Sequence, residues 1–446
     1  MAQFLWGPPT LILLMGVGLY LNVSLKFFPL RKLFPTLRGL VKRNENDYTA
    51  DKVKEKGKGV SPLAVLLTSL ASCIGTGNVV GVAVAISIGG PGALVWMWLS
   101  ALVGMATQFA ECALAVKYRE KNSAGEYCGG PMYTLKNGLK NKKAGLMLGS
   151  LFAVCTVAAS FGIGNMVQAN SISAAVKYSF DIDVRVTGAI MLAASAVTII
   201  GGIRMIAAAS GVLVPAMAVM YIAGGAAVII GNGAGLVSGL KDIFSMALGI
   251  KPAAGGIGVS FLTVLGQGMS KGVFSNEAGL GTTAVTAAAA ETDSHIKQGC
   301  VSMCATFIDT LIVCSVTGLV IASAGLYADG GLSGAELVLA SFESVLGHFG
   351  GYIVTVGIIL FAYASIPGWE YIGEKALEFL VKKRIYCYIY RIVFCAAVYA
   401  GAVLTAEKVW EMSDIANACM MFPNLIGVIA LSGELRRDTI IYDKHT

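Results

Sequence analysis

Apolar residues in this chain gather in long runs that recur from one end to the other. Each run has about 20 residues, the length that an α-helix needs to cross a lipid bilayer. A soluble helical protein would show polar faces at helical spacing, and a membrane barrel would show alternation, but the runs show neither. The pattern predicts an all-α membrane protein with eleven spanning segments, numbered one to eleven in chain order: 8–28, 61–88, 92–116, 145–170, 185–203, 209–231, 254–290, 298–325, 350–374, 386–405 and 415–433.

Two of these segments contain residues that weaken a helix. Segment two carries "SCIGTGNVVGVA" at 72–83, and segment seven carries "GQGMSKGVFSNEAGLG" at 266–281. A glycine destabilises a helix by about 1 kcal/mol relative to alanine, and an unpaired backbone group in hydrocarbon costs several kcal/mol more. Glycines can also serve close helix packing. Two polar breaks in one chain favour a functional site that is buried in protein or faces a water-filled cavity.

The position of the two breaks suggests an internal repeat. Segments two to six form one set of five, and segments seven to eleven form another. Because five is odd, the second set inserts upside down relative to the first. Two inverted halves that each open with a broken helix are typical of secondary transporters of the neurotransmitter–sodium symporter type. We therefore expect one transmembrane domain over 1–446, with an extra helix at 8–28, a first repeat at 61–231 and a second at 254–433.

A broken helix offers two kinds of backbone group in the middle of a membrane. The amide groups at the start of a half-helix can hold a carboxylate, and the carbonyls at the end of the other half can hold an ammonium group or a sodium ion. Thr76 and Asn78 can add side-chain hydrogen bonds. An amino-acid zwitterion needs both kinds of group close together, which makes it the expected ligand.

The charged residues predict the orientation in the membrane. Only 13% of residues are charged, and the formal net charge is +7. With the N-terminus outside, the cytoplasmic segments hold 27 Lys and Arg residues and the outer segments hold five. This asymmetry is the positive-inside bias, so the basic charge does not indicate nucleic-acid binding. We expect a multi-pass protein of the cell membrane, with lipid around it, a cytoplasmic C-terminus and no obligate protein partner.

Few other residues offer chemistry. No GxxxxGK[ST] phosphate loop appears, and the three histidines lie outside the apolar runs, so neither ATP coupling nor an enzyme is indicated. Ionisable residues inside a membrane segment normally face the bundle interior. Glu277 is expected at the start of the second half of segment seven, Lys271 could pair with it or with Asp309, and Asp309 could take part in coupling. Glu111 and Glu370 are expected at the inner membrane interface.

Several stretches of the chain match a known family in order. They are "GTGNVVGVAVAISIGGPGALVWMW" (75–98), "GGPMYTLKNGL" (129–139), "GVFSNEAGLGT" (272–282), "FIDTLIVCSVTG" (307–318), "GWEYIGEK" (368–375) and "FPNLIGVIALSG" (422–433). On these motifs the chain resembles the alanine or glycine:cation symporters, which are sodium-coupled amino-acid carriers. The resemblance spans nearly the whole chain. It implies eleven helices, with helices two to eleven forming the inverted five-plus-five core.

The resemblance also implies a set of site residues. Those lining the substrate pocket would be Gly75, Thr76, Gly77, Asn78, Gln168, Phe274, Ser275, Asn276 and Trp369. A sodium ion would lie between the backbone of Ala71 to Ile74 and the hydroxyl of Ser365. Cys73, Ala364 and Pro367 depart from the family pattern, because Cys73 and Ala364 stand where hydroxyl residues are common.

The implied function is sodium-driven import of alanine or glycine by alternating access. A tight aromatic wall at Trp369 would suit a small side chain. Alternatives that keep the fold are a proton-coupled carrier and a carrier of a larger neutral amino acid such as glutamine. An ion channel and an intramembrane enzyme are rivals of another class. Channels usually surround a pore with several subunits, and the core lacks the acid pair, Ser/His set or metal cluster that an enzyme would need.

Overall fold

The computed structural model describes residues 7–41, 60–249, 260–381, 383–404 and 406–445. These residues form nineteen α-helices and one short hairpin of strands β1 (Glu120–Lys121) and β2 (Tyr127–Cys128). The helices are α1 (Pro8–Ser24), α2 (Phe28–Val41), α3 (Pro62–Cys73), α4 (Val82–Gly89), α5 (Ala93–Lys117), α6 (Pro131–Gly138), α7 (Lys142–Phe161), α8 (Val167–Phe180), α9 (Val184–Ile200), α10 (Gly202–Gly231), α11 (Gly233–Ala247), α12 (Phe261–Asn276), α13 (Thr282–Ala287), α14 (His295–Thr306), α15 (Ser315–Ala324), α16 (Gly334–Leu346), α17 (His348–Leu380), α18 (Arg384–Val403) and α19 (Ala406–His445).

Three π-helical segments interrupt otherwise continuous helices. They are π1 (Gly77–Gly81) before α4, π2 (Gly162–Met166) between α7 and α8, and π3 (Phe307–Cys314) between α14 and α15. Such wider turns are rare and occur frequently at functional sites. Each of the three contains a buried polar side chain, namely Asn78, Asn165 or Asp309.

The long apolar helices confirm a helical membrane protein. Among the described residues, seven helices are long and apolar enough to span a membrane, or nine if each bent pair is one span. Helix α9 is apolar but shorter, and part of segment seven, 254–259, lies outside the described residues. The count of eleven spans stays a prediction. Large apolar side chains such as Ile230, Val212 and Ile392 are more than 70% exposed, as expected of lipid-facing positions.

Segment two breaks at its glycines. Helix α3 ends at Cys73, and Ile74 and Gly75 are not helical. The axis of the following π1 and α4 differs from that of α3 by 54°. The Gly75 site is crowded, since a Cβ there would lie 2.7 Å from the hydroxyl of Ser365 and 3.0 Å from the amide oxygen of Gln168. A side chain at this position would occupy the space of both neighbours.

Segment seven breaks directly after its Phe-Ser-Asn stretch. Helix α12 ends at Asn276, and α13 begins at Thr282. Glu277 (φ 57°), Gly279 (φ 98°) and Gly281 (φ 79°) take left-handed conformations that turn the chain between the two helices. The prediction for Glu277 was therefore wrong in detail. It follows α12 and reaches the start of α13 by accepting a hydrogen bond from the Thr282 hydroxyl at 2.5 Å.

The ends of the two broken segments are joined by backbone hydrogen bonds. Val60, just before α3, donates to Ala289 and accepts from Glu291, just after α13. Helix α5 packs against both α12 and α14, while α17 packs against α7, α8 and α10. The broken segments thus lie side by side within a frame of long helices.

The interfacial positions expected for Glu111 and Glu370 are wrong. Both residues are 2% exposed and face protein. Glu111 on α5 accepts a hydrogen bond from Asn424 on α19 at 2.5 Å, and Asn424 also donates to the carbonyl of Gly279 in the second break. Glu370 on α17 lies 3.8 Å from Arg391 on α18. A polar or charged side chain of the protein thus lies beside each carboxylate, which composition alone does not reveal.

Candidate functional site

The centre of the site is a buried carboxylate on π3. Asp309 is fully buried and accepts three hydrogen bonds, from Asn78 at 2.7 Å, Ser275 at 2.8 Å and Thr310 at 2.8 Å. Asn78 belongs to the first break and Ser275 to the second. One acid therefore connects both broken segments through direct side-chain contacts.

Further contacts surround this connection. Asn78 also faces the carbonyl of Asp309 and the sulfur of Cys314, which the Ser275 hydroxyl reaches at 3.2 Å. The backbone carbonyl of Asn78 accepts a hydrogen bond from the Thr317 hydroxyl at 2.8 Å. Asn276 donates to Thr310 at 3.1 Å. Segment eight thus supplies polar side chains over two helical turns, all directed at the two breaks.

Gly77 lets the two breaks approach each other. A Cβ at this position would lie 3.2 Å from Cα of Ser275 and 3.3 Å from the ring of Phe274, which is tighter than ordinary contact. The amino group of Lys271 lies 5.3 Å from the centre of the same Phe274 ring, one helical turn earlier on α12. Backbone contact between the breaks therefore depends on the absence of a side chain at residue 77.

The amide groups of the first break are held by neutral side chains. Gly75 N–H donates to Asn78 Oδ1 at 3.1 Å, and Thr76 N–H donates to Gln168 Oε1 at 3.2 Å. Gln168 is placed by a bond from its own amide to the carbonyl of Ile163 in π2 at 3.0 Å. The Thr76 hydroxyl is buried without a partner among the described residues. An unsatisfied buried hydroxyl costs about 1–3 kcal/mol, so a ligand that bonds to it gains that energy.

Three oxygens meet where the sodium ion was expected. The Ser365 hydroxyl on α17 lies 3.1 Å from the carbonyl of Ala71 and 3.3 Å from that of Ile74. Hydroxyl and carbonyl oxygens are the hard ligands that such a cation needs, so the donor set fits sodium. Cys73, which stands where a hydroxyl is common, has its sulfur 3.6 Å from the Thr283 hydroxyl on α13.

Trp369 closes a different side of the arrangement. It is 1% exposed and packs on Gly164 in π2, where any Cβ would overlap the indole. Phe274 is 6% exposed. The structure thus joins Gly75, Gln168 and Ser365 in one group and Gly77, Phe274 and Ser275 in another, with Trp369 against π2.

The sequence pointed to a coupling role for Asp309 but did not place it among the pocket or sodium-site residues. Its position in the middle of an apolar segment was a signal, but nothing in the sequence tells that it faces Asn78 and Ser275. Thr310 and Thr317 gave no signal, because a lone threonine in a membrane helix commonly bonds to its own backbone.

Comparison with known proteins shows the family of this chain. A family model described as "Sodium:alanine symporter family" matches residues 1–446. The chain belongs to the sodium:alanine symporter family. The chain is 42% identical over 445 residues to the sodium/alanine symporter AgcS of Methanococcus maripaludis, covering 99% of this chain and 96% of that protein. It is 35% identical to the probable sodium/glutamine symporter GlnT of Bacillus subtilis, covering 96% of this chain and 87% of GlnT.

A solved structure shares the fold. The chain superposes on MhsT in complex with L-phenylalanine with a TM-score of 0.61 and 15% identity, over 84% of this chain and 90% of that one. Membership of the sodium:alanine symporter family confirms three expectations. The protein is a multi-pass membrane transporter, it belongs to the sodium-coupled amino-acid symporters, and it is not an enzyme.

Proposed function

We propose that this protein imports a small neutral amino acid, alanine or glycine, together with sodium by alternating access. The observation that carries the proposal is the meeting of both helix breaks at Asp309, beside two amide groups and the buried Thr76 hydroxyl. The amides of Gly75 and Thr76 would receive the substrate carboxylate. Trp369 and Phe274 would bound the space for its side chain.

The coupling ion would bind at the three oxygens of Ala71, Ile74 and Ser365. This site joins α3 to α17, so an ion there would favour the state in which the two helices are together. Asp309 would supply a negative charge close to the breaks, which would favour a cation or the substrate ammonium group. Residues 61–231 and 254–433 would form the two inverted halves, with the N-terminus outside and the C-terminus in the cytoplasm.

Uptake of labelled alanine into proteoliposomes tests the function. An inward sodium gradient is compared with an equal potassium or choline gradient. Accumulation only with sodium supports the proposal. Equal uptake under both gradients would instead favour a proton-coupled or exchanging carrier, and competition by unlabelled glycine, serine and glutamine ranks the substrates.

Ser365→Ala tests the ion site. Removal of one of three oxygens should raise the sodium concentration needed for half-maximal uptake by about tenfold, since a net hydrogen bond or ligand contact contributes on the order of 1 kcal/mol or more. Ser341→Ala is the matched control, because this equally buried serine donates only to the carbonyl of Leu337 in its own helix at 2.6 Å. An unchanged sodium dependence in Ser365→Ala would contradict the assignment.

A second candidate is a carrier of glutamine, because the relative GlnT is named a probable sodium/glutamine symporter. The buried indole of Trp369 favours the smaller substrate. Competition by glutamine as strong as that by alanine would reverse this preference.

A further inference from the structure

Helix α2 turns sharply away from the first apolar helix. Lys26 (φ 53°) and Phe27 (φ 56°) both take left-handed conformations, and the axes of the helices on either side differ by 80°. Since α1 lies in the first predicted span, a helix turned by this angle runs roughly along the membrane plane. By the positive-inside bias, this is the cytoplasmic side.

One side of α2 is fixed to the protein. Phe28 and Leu33 are buried, and the Phe28 ring lies 5.6 Å from that of Phe109 on α5 and 6.4 Å from that of Tyr442 on α19. The helix is therefore a packed part of the fold, and its exposed sides have a fixed orientation.

A second side of α2 is apolar and exposed. Phe34 is 63% exposed, and Leu30, one turn before it, is half-buried. Residues four apart lie on the same side of a helix. Phe27 at the turn is 50% exposed. The Phe34 ring meets that of Phe307 in π3 with 6.2 Å between their centres, yet most of its surface stays exposed. An exposed aromatic side chain beside a span that crosses the bilayer is typical of a helix that lies in the membrane interface.

A third side of α2 is basic. Arg31 and Arg38 are seven residues apart, which brings them to the same side two turns apart, and both are exposed. Arg31 is 3.1 Å and Lys32 3.0 Å from the same carboxylate of Asp443. Arg31 and Lys32 thus both contact Asp443, while Lys26 and Arg38 have no acidic partner among the described residues, so the described part of this surface is positively charged.

We propose that α2 is a docking helix for anionic lipid, which places Phe34 among acyl chains and binds negative headgroups through Lys26, Arg31 and Arg38. Around the helix, the packed side is followed by the apolar side and then by the basic side. This order lets the apolar side face the acyl chains while the basic side faces the headgroups. A basic residue near an anionic membrane contributes about 1 kcal/mol, or about fivefold in affinity. The partner is the lipid surface itself and not a soluble anion, because the apolar side must be covered together with the basic one.

Tryptophan quenching by brominated lipids tests this placement in the full-length protein. Phe34→Trp is reconstituted into vesicles of phosphatidylcholine with or without phosphatidylglycerol, and either lipid carries bromine on its acyl chains. The signal of the parent protein is subtracted. Ile392→Trp is the control for a lipid-facing residue, since Ile392 is 71% exposed on α18, away from α2.

We expect residue 34 to be quenched more strongly by brominated phosphatidylglycerol than by brominated phosphatidylcholine, and residue 392 to show no such preference. Lys26→Gln, Arg31→Gln and Arg38→Gln together should remove the preference, and Arg38→Gln alone should lower it by up to about fivefold. The matched set Lys177→Gln, Arg185→Gln and Lys241→Gln should keep it. Added salt should weaken it.

Two results would overturn the proposal. Absence of quenching at residue 34 by either lipid would show that protein, such as a second copy of the chain, covers this side. Equal quenching by both lipids would show insertion without headgroup recognition. Neither result depends on transport, so the test is independent of the proposed function.

Discussion

Replacement of Asp309 by asparagine removes the charge that connects the two helix breaks and keeps the shape of the side chain. The carboxylate accepts hydrogen bonds from Asn78, Ser275 and Thr310 at 2.7–2.8 Å. A hydrogen bond to a charged group contributes about 1.5–3 kcal/mol, and one between neutral groups about 0.5–1.5 kcal/mol. Exchanging the charged group for a neutral one therefore loses about 1 kcal/mol of hydrogen-bond energy for each of the three bonds.

A total of about 3 kcal/mol corresponds to roughly a hundredfold. We therefore expect sodium-driven alanine uptake by Asp309→Asn to fall by roughly a hundredfold at equal protein content in the vesicles. The stability of the folded state should not fall by the same amount, because replacing a buried charge removes the free-energy cost of its desolvation. The thermal unfolding midpoint should stay the same or rise while uptake falls.

The assay is uptake into proteoliposomes over a range of sodium concentrations, with thermal unfolding measured on the same preparation. Asp242→Asn is the control, since Asp242 is also an acid that accepts a hydrogen bond, from Tyr327 at 2.9 Å, but it lies on α11 outside the site. Uptake by Asp309→Asn with the sodium dependence of the parent protein would refute the reasoning. A fall in both uptake and midpoint would show a structural role only.

Three further outcomes follow from contacts elsewhere. Gly77→Ala should lower uptake by about tenfold, because the new Cβ would press on the second break and overpacking costs about 1–3 kcal/mol. Gly81→Ala is the control: its Cβ would enter open space, so uptake should stay unchanged. Lys375→Gln should lower the thermal unfolding midpoint, because it removes a buried cation that pairs with two carboxylates, one of them that of Glu126. Lys383→Gln is the control: Lys383 is exposed, so its replacement should leave the midpoint unchanged. Burial raises the pKa of Glu126, but Lys375, Asn122 and Arg384 together outweigh burial and lower this pKa. The stabilisation from the Glu126–Lys375 pair is therefore present above the ordinary carboxyl pKa and is lost as pH falls through the lowered one. Unfolding scans at acid pH should therefore show a smaller loss in Lys375→Gln than in the parent protein.

The sequence predicted where the helices break because glycines occur there together with polar residues in two apolar segments, and close helix packing alone explains only the glycines. The ends of α3 at Cys73 and of α12 at Asn276 confirm both breaks. The second break differed in detail. Its turn falls on Glu277, since three residues in left-handed conformations redirect the chain there, and a periodic pattern does not reveal which residue turns.

The partners of buried acids could not be predicted from the sequence. Glu111 and Asn424 are 313 residues apart, and Asn78 and Asp309 are 231 apart. Hydropathy shows only that an acid lies within a span, and its position along the segment suggested an interface for Glu111. Tertiary packing decides whether water or another side chain faces the carboxylate.

The first break is already paired, and this bears on selectivity. Asn78 and Gln168 occupy the amide groups of Gly75 and Thr76 through neutral oxygens. In the proposed function a substrate carboxylate would displace them, because hydrogen bonds to an ionised acceptor are roughly twice as strong as neutral ones. A neutral analogue such as an amide or ester of alanine offers no such gain and would leave the existing pairs in place. We therefore expect Asn78 and Gln168, which bond to the amide groups of the break, to restrict transport to substrates with a free carboxylate.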